Sequence, residues 1–225
     1  FILKIFYLFL GFLSWIYAVA LVARKLFYTK ILTPYKAKNI QLWVVGNSTV
    51  GGNGKSIFVS WLVDFLTKKN LKVAVISKGY GRKVKVLHQV SCGSTVDQAG
   101  DEPLMLYLQT GCHIIVANSR VEAIKYIINL PEKIDIVICD DGKQDYSVCY
   151  NKKINIISAN RLIGNGCLLP QGPLREFKSE INEADLAVIM QHGEIAATLD
   201  FPRISIQKHL VKIKLDRIYK LNNYH

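Results

Sequence analysis

The chain has 225 residues, which is enough for one domain with a hydrophobic core and smaller appendages. Its net charge of +12 favours an anionic partner such as nucleic acid, acidic lipid or a phosphorylated substrate. The basic residues are scattered without a run of five or six, which argues against nucleic acid. The five cysteines form no C-x-x-C pair and the five histidines show no metal spacing. This pattern favours free thiols in a reducing compartment over disulfides or a zinc site.

The N-terminal segment is strongly apolar, and residues 5–22 contain no charged residue. As a helix this stretch is about 27 Å long, close to the roughly 30 Å of a bilayer's hydrocarbon core. Basic residues follow the stretch and only Lys4 precedes it, so the positive-inside rule puts the following domain in the cytoplasm. We therefore expect a membrane-associated helix over residues 1–33, either spanning the membrane or lying in its interface. A cleaved signal peptide and a buried core helix are the alternatives.

From residue 40 onward, apolar runs typical of strands alternate with segments of helical periodicity. The predicted strands cover residues 40–45, 73–77, 114–117, 134–139, 154–159 and 186–190. The predicted helices cover 55–70 and 121–129, and the first has an apolar stripe of Ile57, Phe58, Trp61, Leu62, Phe65 and Leu66. Continuous apolar strands indicate an α/β fold with a mostly parallel sheet flanked by helices. We expect this core over residues 34–200 and an incomplete C-terminal segment over 201–225, with ligands bound where strands end.

A glycine-rich turn lies between the first predicted strand and the first predicted helix of this core. Its residues are Thr49, Val50, Gly51, Gly52, Asn53, Gly54, Lys55 and Ser56. Strand, glycine turn and helix together are the context of a phosphate-binding loop, because glycines let backbone N–H groups crowd around an anion. Lys55 would reach the terminal phosphates and the Ser56 hydroxyl would bind Mg²⁺. The usual motif has glycine where this chain has Thr49, and a chance glycine turn is the alternative.

Two pairs of acidic residues lie at the ends of further predicted elements. Asp140 and Asp141 end the apolar run 134–139, where carboxylates would supply the hard oxygen ligands that Mg²⁺ prefers. An acidic turn without a metal is the alternative. Asp101 and Glu102 precede Pro103, which suits the first turn of a helix. One of these two carboxylates could be the base for a substrate hydroxyl, or the pair could simply cap that helix.

Basic residues follow the other strands. Lys78 and Arg82 lie in a glycine turn after the strand 73–77, and Arg120 lies at the next strand-to-helix junction. Arg175 lies in a loop rich in glycine and proline, residues 164–176. Each could contact phosphate or substrate. The alternatives are a solvated basic loop for the first three residues and a structural ion pair with Glu176 or another acid for Arg175.

Together these motifs resemble those of the tetraacyldisaccharide 4'-kinase family, the lipid A 4'-kinases of Gram-negative bacteria. The matching segments are 45–56, 77–81, 100–103, 140–144 and 164–176, and their order and spacing match too. The resemblance covers about residues 5–190. It implies a P-loop NTPase-like fold and transfer of the γ-phosphate of ATP to the 4'-hydroxyl of a lipid A disaccharide 1-phosphate precursor. The reaction would take place at the bacterial inner membrane, with its lipids as partners and the catalytic domain on the cytoplasmic side.

The resemblance also implies the site. Residues 49–56 would hold ATP, including Thr49, and Lys55 would neutralise phosphate charge. Ser56, Asp140 and Asp141 would bind Mg²⁺. Asp101 would be the base with Glu102 beside it. Substrate contacts would come from Lys78, Arg120 and Arg175.

The chain departs from the family's pattern in two ways. Asp145 stands where the family usually has histidine, and an extra carboxylate near the phosphates would weaken ATP binding or alter metal binding. The chain also ends at His225, without a later family segment that carries an Asp-His pair linked to catalysis, which is expected either of a shortened or decayed protein or of a fragment. Two alternative functions therefore stay open: a switch ATPase or GTPase with a similar loop, and a decayed remnant that binds nucleotide or membrane without phosphoryl transfer.

Overall fold

In a computed structural model, the described residues, 2–192 and 208–213, form one eight-stranded sheet with helices. The strands are Gln41–Asn47 (β1), Val73–Ser77 (β2), His88–Gln89 (β3), His113–Val116 (β4), Ile136–Asp140 (β5), Lys152–Ser158 (β6), Leu186–His192 (β7) and Lys208–Ile213 (β8). Their order is β3-β4-β2-β5-β1-β6-β7-β8. Every neighbouring pair of these strands is parallel except β3 with β4.

The helices of the described residues are Ile2–Leu26 (α1), Lys55–Thr67 (α2), Val96–Ala99 (α3), Asp101–Thr110 (α4), Arg120–Ile128 (α5) and Lys178–Asn182 (α6). A π-helical turn, Phe27–Ile31, continues α1. The predicted α/β fold with a mostly parallel sheet is confirmed, and its six strands match to within one or two residues at each end. Most of the predicted segment 201–225 lies outside the described residues, but its β8 extends the sheet beside β7.

The core lies on both faces of the sheet, as expected for strands that are apolar along their whole length. One face packs under α2 and α4, and the other packs under α5. The predicted stripe of α2 is wrong for half of its residues: Ile57, Trp61 and Phe65 are 50%, 54% and 44% exposed. Val59 and Val63 are buried instead. Because α2 is apolar over more than one face, its periodicity alone does not show which side meets the sheet.

Helix α1 lies along the protein rather than inside it. The Ser14 hydroxyl donates to the Leu168 carbonyl (2.9 Å), and the Tyr17 hydroxyl donates to the Arg175 carbonyl (3.0 Å). Lys25 pairs with Glu180 at 2.9 Å. The segment Leu3–Ile31 is long and apolar enough to cross a membrane, and only 6% of its most apolar stretch is buried among the described residues, unlike a core helix.

Candidate functional site

The glycine-rich turn and the start of α2 surround a cavity of about 430 Å³. Residues 51–57 line it together with Asn47 and Glu102. The backbone turns sharply here, with φ of +103° at Gly51 and +74° at Gly54, values that glycine adopts without strain. Gly54 directly precedes the first residue of α2, so the positive end of this helix faces the cavity. The structure therefore brings six of the eight predicted loop residues, 51–56, to one concave site.

Thr49 is buried below this cavity. The Asn53 side chain donates to the Thr49 hydroxyl (3.0 Å) and to the Thr49 carbonyl (3.3 Å). The backbone N–H of the next residue, Val50, donates to the Pro173 carbonyl (2.9 Å). A glycine in place of Thr49 would lack the hydroxyl that Asn53 binds, so the threonine braces the turn from within.

The predicted Mg²⁺ carboxylates lie beside Lys55. β1 and β5 are parallel neighbours, with Val45 opposite Asp140, so the loops that follow both strands meet at one edge of the sheet. The Lys55 Nζ atom is 3.0 Å from Asp141 Oδ1 and 4.0 Å from Asp140 Oδ1. Arg175 also reaches Asp141, at 3.1 Å. The predicted alternative of an ion pair for Arg175 is thus realised with Asp141 and not with Glu176.

The two aspartates have different electrostatic environments. Burial, together with the negative charges of Glu102 and Asp141, raises the pKa of Asp140 to about 6, although the charge of Lys55 opposes the shift. Its Oδ1 atom accepts no hydrogen bond from the described residues. Burial alone would raise the pKa of Asp141, but the charges of Lys55 and Arg175 outweigh it and lower that pKa. A buried carboxylate oxygen without a donor fits a hard cation such as Mg²⁺.

The two acidic residues at the start of α4, Asp101 and Glu102, differ in their surroundings. Glu102 lines the cavity, and its carboxylate accepts a hydrogen bond from the Ser56 hydroxyl. Asp101 is exposed beside it, at the first position of α4, and accepts from the Glu102 backbone N–H (2.9 Å). The pair begins a helix, but α4 starts after Gly100 without a side-chain cap, and the assignment of a base to this pair stays a prediction.

Two of the predicted basic contacts are buried. Arg120 is 2% exposed and donates to Asp145 and to the carbonyls of Asp140 (3.1 Å) and Asp141 (2.9 Å). It holds the acidic turn from beneath, and its assignment as a substrate contact stays a prediction. Arg82 is also 2% exposed and donates to the Val86 carbonyl (2.7 Å). The guanidinium of Arg82 holds its own loop together, and the expectation that it contacts phosphate stays a prediction.

Lys78 differs from these two arginines because its side chain reaches solvent. Partial burial and the nearby positive charge of Arg120 lower the pKa of Lys78. No ion pair engages it within the part of the chain that the structure describes. Its role as a substrate contact stays a prediction that this position allows.

A buried polar cluster beneath the loop was not predicted. Lys143 pairs with Glu176, and their side chains are 4% and 2% exposed. Ser48 donates to Glu176 and accepts from Lys143 (3.1 Å). The cluster joins the loops after β1 and β5 to the loop 164–176. Gly46 is the residue of the sequence that could have pointed to this close packing. A Cβ atom at this position would lie 2.6 Å from the Lys143 Cβ atom.

The site has a glycine loop between a buried strand and a helix, and lysine and serine begin that helix. Carboxylates lie at the end of the adjacent strand. This combination defines a P-loop nucleotide-binding protein. The chain belongs to the family described as LpxK, tetraacyldisaccharide-1-P 4'-kinase, whose sequence profile matches residues 6–223. This confirms the resemblance seen in the motifs.

Curated relatives named tetraacyldisaccharide 4'-kinase support this membership. The one from Tolumonas auensis is 39% identical over 73% of this chain and 50% of its own length. Those from Methylobacillus flagellatus and Pasteurella multocida are 37% and 35% identical over 82% and 96% of this chain, and 55% and 65% of their own lengths. The chain thus spans about half to two thirds of these relatives.

A solved structure shows the same fold. LpxK from Aquifex aeolicus in complex with ATP superposes with a TM-score of 0.74 and 28% identity. The match covers 88% of this chain and 62% of that protein.

Proposed function

We propose that this chain transfers the γ-phosphate of ATP to the 4'-hydroxyl of a lipid A disaccharide 1-phosphate precursor. The observation that carries the proposal is the position of Lys55, which lies in the loop cavity and against the two aspartates that end β5. The names of the curated relatives support the choice of acceptor.

In this proposal residues 49–56 hold the phosphates of ATP. Backbone N–H groups of the glycine turn and the N-terminus of α2 supply the partial positive charge. Lys55 adds a full charge, and its contact with Asp141 orients its side chain before the nucleotide binds. Preorganised charge of this kind is the main contribution of a protein to phosphoryl transfer.

Ser56, Asp140 and Asp141 would hold Mg²⁺. The donor-free Oδ1 atom of Asp140 fits a cation, and both carboxylates lie beside Lys55, the residue that directly precedes Ser56. When bound, Mg²⁺ neutralises charge on the phosphates. Arg120 keeps both carboxylates in place through its hydrogen bonds to their backbone carbonyls.

We assign the base to Asp101. Its carboxylate is exposed, whereas that of Glu102 is engaged by Ser56. Asp101 would accept the proton of the acceptor hydroxyl while that oxygen bonds to the γ-phosphorus and the bond to the leaving ADP oxygen breaks. Glu102 would stay at the nucleotide end of the site.

The membrane would be contacted by α1 lying in its plane, at the cytoplasmic face. Contacts with the protein body run from Ser14 to Lys25, about 16 Å of helix, so this part of α1 is not free to enter the bilayer core end-on. The opposite face is apolar, with Phe12, Trp15 and Val19 at least half exposed. In this arrangement residues 1–33 form the membrane element, residues 34–200 the kinase core and 201–225 a further segment.

The proposal is tested by ATP consumption in detergent with Mg²⁺, with and without the disaccharide 1-phosphate. We expect consumption that depends on the acceptor, and a loss of about 10²- to 10⁴-fold in Asp101→Asn. Asp97→Asn is the matched control, since Asp97 is an exposed carboxylate on the neighbouring α3. Equal consumption without acceptor would instead favour the switch ATPase, and nucleotide binding without any transfer would favour the decayed remnant.

A further inference from the structure

Arg161 lies against the phosphate loop, although no motif singled it out. It follows β6, which is the neighbour of β1 in the sheet, so its turn lies beside the loop at the same edge. A Cβ atom at Gly51 would lie 2.6 Å from the Arg161 Nη1 atom. Gly51 therefore leaves the space that the guanidinium occupies, in addition to adopting a φ of +103°.

The backbone at Arg161 is fixed while its side chain is exposed. The Leu162 N–H donates to the Ser158 carbonyl (2.8 Å), and the Gly164 N–H donates to the Arg161 carbonyl (2.9 Å). Leu162 and Ile163 pack against the small apolar cluster beside β6 and β7. The turn thus presents one long basic side chain to the loop from a rigid base.

Of the three basic side chains that the structure describes around the loop, two are paired with an acidic residue and one is not. Lys55 and Arg175 both lie within ion-pair distance of Asp141. Among the described residues, by contrast, no hydrogen bond or ion pair engages the guanidinium of Arg161. An unpaired guanidinium beside a turn of backbone N–H groups raises the positive potential there, and this favours a bound anion.

We propose that Arg161 is a further phosphate-contacting residue, whose guanidinium binds oxygens of the terminal phosphate of a nucleotide held in the loop. The inference rests on the proposed nucleotide binding and adds a residue to it. The planar fork of arginine matches two phosphate oxygens at once. An arginine supplied by the same chain can stabilise the charge of phosphoryl transfer in P-loop proteins.

The test is calorimetric titration of ATP and ADP with Mg²⁺ into the full chain in detergent. We expect Arg161→Ala to weaken ATP binding about tenfold, the usual effect of one lost hydrogen bond to a charged group, and to weaken ADP binding less. Arg161→Lys should lie between Arg161→Ala and the wild type. Lys178→Ala is the control for an exposed basic residue in the same region and should bind like the wild type.

Unchanged ATP affinity in Arg161→Ala would overturn the inference. Equal weakening of ATP and ADP binding would also overturn it, because the contact would then not be with the terminal phosphate. The melting temperature without nucleotide should be the same in all four proteins, so that a folding defect is not mistaken for a lost contact. If the wild type itself bound no ATP, the proposed function would fail, which is a different outcome from failure of Arg161 alone.

Discussion

Arg120 and Asp145 form an ion pair directly beneath the turn that carries Asp140 and Asp141. The Arg120 side chain is 1% exposed and that of Asp145 is 19% exposed. Asp145 also accepts a hydrogen bond from the Ser147 hydroxyl at 2.5 Å. The residue that departs from the family's usual histidine is therefore the counter-charge of a buried arginine. Because Arg120 neutralises this carboxylate, we expect a smaller effect of Asp145 on ATP binding than the sequence indicated.

The first prediction follows from this pair. Asp145→Ala leaves the guanidinium of Arg120 buried without its carboxylate, and should lower the free energy of unfolding by about 3 kcal/mol. Urea denaturation measures the loss. The control is Asp97→Ala, which breaks an exposed pair with Lys83 and should cost less than about 1 kcal/mol. A similar decrease in the free energy of unfolding in both variants would show that the buried pair stabilises the protein no more than the exposed one.

The second prediction concerns Lys143 and Glu176. Glu176→Ala leaves Lys143 buried and unpaired, and should destabilise the protein by roughly 3–5 kcal/mol. Replacing both residues with methionine removes both charges at once and should cost clearly less than the sum of Lys143→Met and Glu176→Met. A double-mutant cycle in urea gives the coupling. Strictly additive losses would contradict a direct interaction between the two side chains.

The third prediction is a pH dependence set by Asp140. Its pKa of about 6 lies above the ordinary value of 3.8, so the folded protein holds this proton more tightly than the unfolded chain does. Its contribution to the stability of the metal-free protein is therefore complete below about pH 4 and is lost as the pH rises through about 6.

The same proton competes with a metal ion. Below pH 6 the affinity for a divalent cation should fall by up to about tenfold per pH unit. Mn²⁺ binding, followed by electron paramagnetic resonance between pH 5 and 7, measures this. Asp140→Asn should bind Mn²⁺ weakly with a flat profile, whereas Asp145→Asn should keep the slope. A flat profile in the wild type would place the metal away from Asp140.

The fourth prediction tests how α1 meets the membrane. Tryptophan is introduced singly into a variant whose Trp15, Trp43 and Trp61 are replaced with phenylalanine. The four positions share the outer face of α1 and are each about half exposed: Ile5, Phe12, Val19 and Leu26. If α1 lies in the plane, quenching by brominated lipids should report a similar shallow depth for all four. Shallow depths at residues 5 and 26 with much greater depths at residues 12 and 19 would instead show that the helix spans the bilayer.

The sequence predicted the parts of the site that lie close together along the chain. Strand, glycine turn and helix are consecutive, and Asp140 ends a strand whose carboxyl end must share an edge with β1 once the sheet is parallel. The pairs Arg120–Asp145 and Lys143–Glu176 join distant loops. Their partners depend on strand order and register, which no local pattern specifies. The sequence did not predict a role for Arg161 for the same reason, because this residue lies near Gly51 only through the pairing of β6 with β1.

The proposed kinase activity is tested most directly by transfer of ³²P from [γ-³²P]ATP to tetraacyldisaccharide 1-phosphate, compared between the wild type and Lys55→Ala. Lys69→Ala serves as the control, because Lys69 is exposed beyond the far end of α2. We expect labelled lipid with the wild type and with Lys69→Ala, and at least about a hundredfold less with Lys55→Ala. Absence of labelled lipid with the wild type, or equal labelling by the Lys55→Ala protein, would contradict this expectation.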